Sequence, residues 1–187
     1  RLLALSAHDV AQAVAPWIPP EELTTLAARI SLVGRNFKET AAPDFLQGGL
    51  GALIPKIAEG CSSLSELRAL DWQTALLAAA APELPLHRLE ELVPASIQLP
   101  TGRRAKVHYP LDLPPWTESR LLDFFGMKQG PSILKGRLPL TLHLLAPNHR
   151  ALQVTTDLAG FWLRVYPELR NQLSRRYPRH QWPENPP

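Results

Sequence analysis

The stretch PASIQLPTGRRAKVHYP, Pro94–Pro110, divides the chain into two kinds of sequence. It reads as a short strand, a glycine-containing turn at Thr101–Arg103, and a second strand with period-2 alternation. Val107 and Tyr109 face one way and Lys106 and His108 the other. The hairpin gathers Arg103, Arg104 and Lys106 near its tip.

Downstream, PPWTESRLLDFFG (Pro114–Gly126) has the form of a helix, with Pro115 at its start. Leu121, Leu122 and Phe125 would face inward, and Gly126 would end it. Residues 130–155 then suggest a meander. Leu138, Leu140, Leu142 and Leu144 share one face, with Thr141 and His143 opposite. Lys135 and Arg137 flank a turn at Gly136, and Asn148, His149 and Arg150 occupy the next one. Thr155, Thr156 and Asp157 offer N-caps for an apolar helix carrying Leu158, Phe161, Trp162 and Val165 at i, i+3, i+4 and i+7. Pro167 predicts a kink or restart, after which Leu169 and Leu173 continue a buried face to Tyr177. The last segment, RYPRHQWPENPP, carries four prolines and so excludes a helix or a central strand. Such a segment is either loose or clamped onto a partner surface; Tyr177 and Trp182 argue for the clamp, with Trp182 docked on protein or stacked on a base.

Before Pro94 the chain reads as helices. Ser6 caps a first one carrying Val10, Ala13 and Val14, closed by Pro16. Pro19 and Pro20 open a second, with Leu23, Leu26 and Ile30 along one face and Gly34 as its stop. Pro43 and Asp44 start a third, weakened by Gly48, Gly49 and Pro55. Ser63 and Glu66 have capping-box spacing, Asp71 caps DWQTALLAAAAPEL, and Pro85 opens LHRLEELV. The expected class is α+β: a helical region at 1–93, then a small, mainly antiparallel β unit at 94–187 with flanking helices and an extended proline-rich tail.

Charge follows the same division. Residues 1–93 carry 7 basic and 11 acidic side chains (net −4), whereas residues 94–187 carry 13 and 6 (net +7). A basic half points to a polyanionic partner, although cations also solvate ordinary surfaces. The 20 prolines are about twice the usual share, which suggests short elements joined by stiff turns. A lone cysteine, Cys61, forms no internal disulfide and suits a reducing compartment. No run of 18 apolar residues occurs, so no membrane-spanning helix is expected. The opening RLLALSAHDVAQ lacks an initiator methionine and a signal-peptide layout, as expected of a cut within a longer chain.

Catalytic chemistry finds no foothold. The six histidines form no H-x-x-x-H or H-E-x-x-H pattern, and one cysteine cannot anchor a zinc site. Gly48 and Gly49 lack the Gly-Lys-Ser/Thr ending of a phosphate loop. Cys61 lacks a plausible partner. Asp123 and Asp157 read as a helix-surface and a capping residue, and Trp17 and Trp72 as core. No catalytic residue and no metal ligand is assigned.

Four ordered segments carry a resemblance: LPTGRRAKVHYP (Leu99–Pro110), LLDFFGMKQGPSILKGRLPL (Leu121–Leu140), LHLLAPNHRALQVT (Leu142–Thr155), and TTDLAGFW followed by RRYPRHQWPENP (Thr155–Pro186). Together they resemble the C-terminal region of the bacterial HrpB-type DEAH-box ATP-dependent RNA helicases. Ala151 and Asn185 depart from that pattern, which usually has proline and aspartate there. The resemblance implies an accessory domain of a cytoplasmic helicase whose ATP- and magnesium-dependent motor is absent from these residues; neither a Walker loop nor a D-E-A-H box occurs. It implies weak, unspecific engagement of RNA or another single strand, with contact to the parent's own motor. The cations for such a strand are Arg103, Arg104, Lys106, Lys135, Arg137, Arg150, Arg175, Arg176 and Arg179. The alternative role is architectural: Phe161, Trp162, Tyr177 and Trp182 pack against the domain's own sheet, the motor or another protein, without RNA contact.

Overall fold

The computed structural model describes Pro16 and residues 20–45, 49–58 and 60–186. The expected first helix, from Ser6 through Val14, lies outside the described residues, as do Trp17 and Gly48. Two compact units are present. The first comprises the described residues up to Val93 together with Tyr109–Leu113, and the second comprises 94–108 and 114–186.

The first unit is helical. Its α1 (Pro20–Asn36) is followed by a 3-10 turn at Leu50–Leu53 leading into α2 (Ile54–Ala58), then α3 (Leu64–Ala69), α4 (Trp72–Ala80) and α5 (Leu86–Leu92). The middle of α1 is buried all round, not along a single stripe, from Leu26 to Ser31. That burial includes Arg29, whose charge must be met inside the unit. Its Nε donates to the Val93 carbonyl at 2.8 Å and its Nη2 to Glu90 at 2.6 Å, fastening α1 to the end of α5. The capping residues behave as expected. Ser63 accepts from the Glu66 N–H while the Glu66 carboxylate reaches back to the Ser62 N–H, and Asp71 accepts from the Thr74 N–H.

Gly34 does not stop α1, which runs on to Asn36. Its role is spatial: a Cβ at this position would run into the backbone carbonyl of Ala42. Gly34→Ala gains about 1 kcal/mol of helix propensity but must displace main chain, and overpacking costs about 1–3 kcal/mol. Urea unfolding is expected to show a net loss of stability. A stabilised variant would mean that the loop at Ala42 yields freely.

The second unit is built on a sheet in the order β1-β2-β3-β6-β7: β1 Ser96–Gln98, β2 Arg104–His108, β3 Trp116–Arg120, β6 Thr141–Leu145 and β7 Ala151–Thr155. All neighbours are antiparallel except β3 and β6, which run parallel, so the arrangement is not a simple meander. The connection between them holds a 3-10 turn (Leu121–Phe124) and a small hairpin of β4 (Ser132–Ile133) and β5 (Leu138–Pro139). The turn of that hairpin places Leu134, Lys135 and Gly136 all at positive φ, with Leu134 fully buried.

Trp116–Arg120 is therefore a strand where a helix was expected. The reason is alternation with small polar residues inside: Thr117 and Ser119 are buried and Glu118 is exposed. Thr117 Oγ1 is satisfied by the Lys106 carbonyl at 2.7 Å, which removes the cost of burying a hydroxyl. Ala105, Val107, Leu142 and Leu144 complete this inner face.

The apolar segment after β7 runs Leu158–Gly160 (α6), a wide π-helical turn at Phe161–Val165, and α7 (Tyr166–Arg176). Asp157 caps it, accepting from the Gly160 N–H at 2.7 Å. Pro167 in the first turn of α7 has no N–H to give the preceding carbonyls, and the widened turn accommodates that loss. One extra residue per turn also moves the apolar stripe. Val165, expected inside, is exposed, and Tyr166 takes the buried position.

Candidate nucleic-acid interface

Asp123 lies inside the second unit, only 1% exposed, and not on a helix surface. Ser119 Oγ donates to it at 2.7 Å, Thr101 Oγ1 at 3.3 Å, and Arg120 grips both of its oxygens. Arg103 Nε stands 3.9 Å away. Burial alone would raise the carboxyl's pKa, but Arg120, Ser119 and Arg103 outweigh it and hold it below its ordinary value of 3.8. A depressed folded pKa contributes stability at pH above about 4 that disappears as acidity passes through the lower folded value. Asp123→Asn is therefore expected to cost about 1–3 kcal/mol at neutral pH. In urea titrations the gap from wild type should narrow below pH 4; a gap that widens there contradicts the assignment.

Asp123 thus ties the β1–β2 turn to the end of β3, with Arg103 beside it and still exposed. Arg104 and Lys106 point to the outer face of β2, and Arg104 donates to Ser96 Oγ at 2.8 and 3.1 Å. Lys135 and Arg137 are exposed on the strained β4–β5 turn. Arg150 closes the β6–β7 turn, which is tightly held: Ala146 N–H donates to Arg150 O, His149 N–H to Ala146 O, and Arg150 N–H to Asn148 Oδ1. Arg175 and Arg176 end α7, where cations also suit the helix dipole. Arg176 lies 5.8 Å from the centre of the Tyr177 ring, and Arg179 follows in the tail.

These arginines differ from their neighbours. Arg120 pairs with Asp123, Arg164 with Asp157, and Arg170 with Glu184. Among the described residues Arg150, Arg175, Arg176 and Arg179 have no acidic partner, and all four are exposed.

The aromatic residues singled out above are largely internal. Phe161 and Trp162 are buried, and Trp162 Nε1 donates to the Met127 carbonyl at 2.8 Å. Phe125 sits amid Trp162, Tyr166 and Trp182, with ring centres 5.9, 6.0 and 6.3 Å away. The tail is docked on its own unit. Trp182 is buried, with Nε1 donating to the Tyr177 carbonyl at 3.1 Å. Tyr166 donates its hydroxyl to Pro183 O, Arg170 Nε bonds Trp182 O, and Gly126 N–H bonds Pro186 O. Tyr177 alone of the four is half-exposed near the free arginines.

Sequence reasoning missed a stack on the outer face of the sheet. Trp116 lies between His108 and His143, at 3.9 and 4.5 Å between centres and within 9° and 16° of parallel. His108 and Trp116 are direct cross-strand partners, while His143 is diagonal to Trp116. Such pairs hold three adjacent strands together. The signal was the alternation of Thr117 and Ser119 with Glu118, hidden behind the leucines that follow.

The second unit, with its clamped tail, and the later helices of the first lie within a known family. Residues 53–186 match the family described as ATP-dependent helicase C-terminal, the HrpB C-terminal domain. The chain belongs to that family. Its HrpB C-terminal character extends to a curated relative, "ATP-dependent RNA helicase HrpB" of Escherichia coli (strain K12), which is 39% identical over 134 residues; these cover 72% of this chain and 16% of that protein. Two solved structures are also similar. The crystal structure of the E. coli DExH-box NTPase HrpB shares 30% identity with a TM-score of 0.73, covering 97% of this chain and 24% of that one. The crystal structure of the Escherichia coli DEAH/RHA helicase HrpB shares 28% identity with a TM-score of 0.63, with the same coverage. This HrpB C-terminal chain thus corresponds to about a quarter of the solved relatives' length or less. Among the described residues no helix is long and apolar enough to cross a membrane, and no group of three or more His, Cys, Asp or Glu is placed to hold a metal.

Proposed function

We propose that this chain is an accessory part of a cytoplasmic ATP-dependent RNA helicase and that its second unit grips single-stranded RNA for a motor elsewhere in the parent protein. ATP and magnesium belong to that motor. The observation that carries this reading is the set of exposed arginines without acidic partners, Arg150, Arg175, Arg176 and Arg179, in a unit where Arg120, Arg164 and Arg170 are paired. Unneutralised guanidinium groups are available to release counterions from a phosphate backbone. Arg104, Lys106, Lys135 and Arg137 extend the basic surface, and Arg103 does so from its place beside Asp123. Binding of this kind follows charge and not sequence.

Ultraviolet cross-linking of the chain to uridine-rich RNA tests the location. Cross-linked peptides are expected from the β6–β7 turn and from the end of α7 through Tyr177. Cross-links confined to the first unit would overturn the assignment. A bracing role is the second reading, favoured by the burial of Phe161, Trp162 and Trp182. On that reading the unit supports the parent's motor and needs no RNA contact.

A further inference from the structure

Between the β6–β7 turn and α7 lies a cleft of about 170 Å³. Leu152, Leu169 and Leu173 line it with apolar surface, Tyr177 supplies an aromatic wall, and Arg150 and Arg176 stand at it from opposite elements. Leu173 is buried and Tyr177 half-buried, so the cleft deepens toward the core. Its volume is below the roughly 300–1,000 Å³ of pockets that enclose a whole small molecule. It suits one flat ring, with the remainder of the ligand outside.

We infer that this cleft receives a single nucleobase of the bound strand, with Arg150 and Arg176 on the flanking phosphates. The inference rests on the RNA-gripping reading and adds to it a subsite that contacts a base as well as the backbone. Four features argue for this occupant. An apolar cleft with an aromatic wall takes the face of any base, without reading its edges. Arg176 Cζ stands 5.8 Å from the centre of the Tyr177 ring, within cation–π reach, which places its guanidinium near the wall. The turn bonds on the Arg150 N–H and carbonyl hold the backbone from which the second cation extends on the other side. Arg175 and Arg179, one residue before Arg176 and three after it, extend the positive charge along the chain, as a repeating polyanion requires. An acidic peptide would also meet the cations, but its carboxylate side chains gain nothing from the apolar lining of Leu152, Leu169 and Leu173, which a base face covers.

The test uses the 187-residue chain and two labelled ten-residue ligands, oligouridylate and the abasic ribose-phosphate oligomer of the same length. Fluorescence anisotropy at low salt is expected to show oligouridylate binding about tenfold tighter, with parallel salt dependence. Ala151 is exposed at the cleft's edge, so Ala151→Trp should fill the cleft. That variant should lower the oligouridylate affinity to the abasic level and leave abasic binding unchanged. The comparison of the two ligands on the unaltered chain needs no variant and decides the matter even if Ala151→Trp fails to fold. Equal affinities there would overturn the base subsite while leaving the phosphate grip intact. No binding of either oligomer would bring down the grip and the subsite together. Oligoaspartate of ten residues binding as tightly as oligouridylate, and lost in Ala151→Trp, would reassign the cleft to an acidic protein.

Discussion

Trp182→Ala is expected to destabilise the second unit by about 3–5 kcal/mol, the usual cost of emptying a buried indole site. A proline-rich tail invites the opposite expectation, that of a loose end whose removal costs nothing. The hydrogen bonds decide between them. The Trp182 indole donates to Tyr177 O, its own carbonyl accepts from Arg170, and Pro183 and Pro186 accept from Tyr166 and Gly126. The ring also packs edge-on against Phe125, at 82°. For a unit of this size the loss corresponds to a fall in Tm of more than about 10 °C. Trp182→Phe, which keeps the ring–ring contact and loses one hydrogen bond, should recover most of it. Thermal unfolding followed by near-ultraviolet circular dichroism measures both. An unchanged Tm in Trp182→Ala would mean that the tail merely lies on the surface.

The second large effect is on binding. Changing Arg150, Arg175, Arg176 and Arg179 together to alanine should weaken affinity for single-stranded RNA on the order of a thousandfold at 50 mM salt, relative to 1 M. The estimate follows from losing about four phosphate contacts, each with a salt slope near 0.7. All four side chains are exposed, so the fold should survive. The structural cost is confined to the favourable charge at the end of α7 and the Arg176–Tyr177 contact, about 1 kcal/mol or less each. Arg164 and Arg170, already paired with Asp157 and Glu184, provide the control. Their replacement should change binding little. Equal losses from the two sets would show that general charge, not the absence of acidic partners, governs the effect.

Much of the architecture was legible from local pattern. The β1–β2 hairpin announces itself through period-2 alternation around a glycine turn, and the caps at Ser63, Asp71 and Asp157 through side-chain chemistry that acts over three residues. The clamped tail was legible because a segment with four prolines and a tryptophan has few other ways to be ordered. What was hidden is what depends on distant partners. Trp116–Arg120 becomes a strand because β6 lies parallel to it and the Lys106 carbonyl takes the Thr117 hydroxyl. Val165 lost its buried place to Tyr166 through a widened turn that no hydrophobic spacing encodes. Gly34 reads as a helix stop until Ala42 is seen behind it. At the candidate interface the nine cations were visible as letters, but a sequence does not tell which have acidic partners. Arg120 meets Asp123 three residues on, whereas Arg176 meets only the Tyr177 ring.

The measurement closest to the central claim is fluorescence anisotropy of the chain with single-stranded RNA across a salt series, beside the fourfold arginine variant. The unaltered chain should give log K falling with log salt at a slope near −3, and the variant a markedly shallower slope. A flat response in the unaltered chain, or the same slope in both proteins, would contradict the claim that these arginines hold the strand.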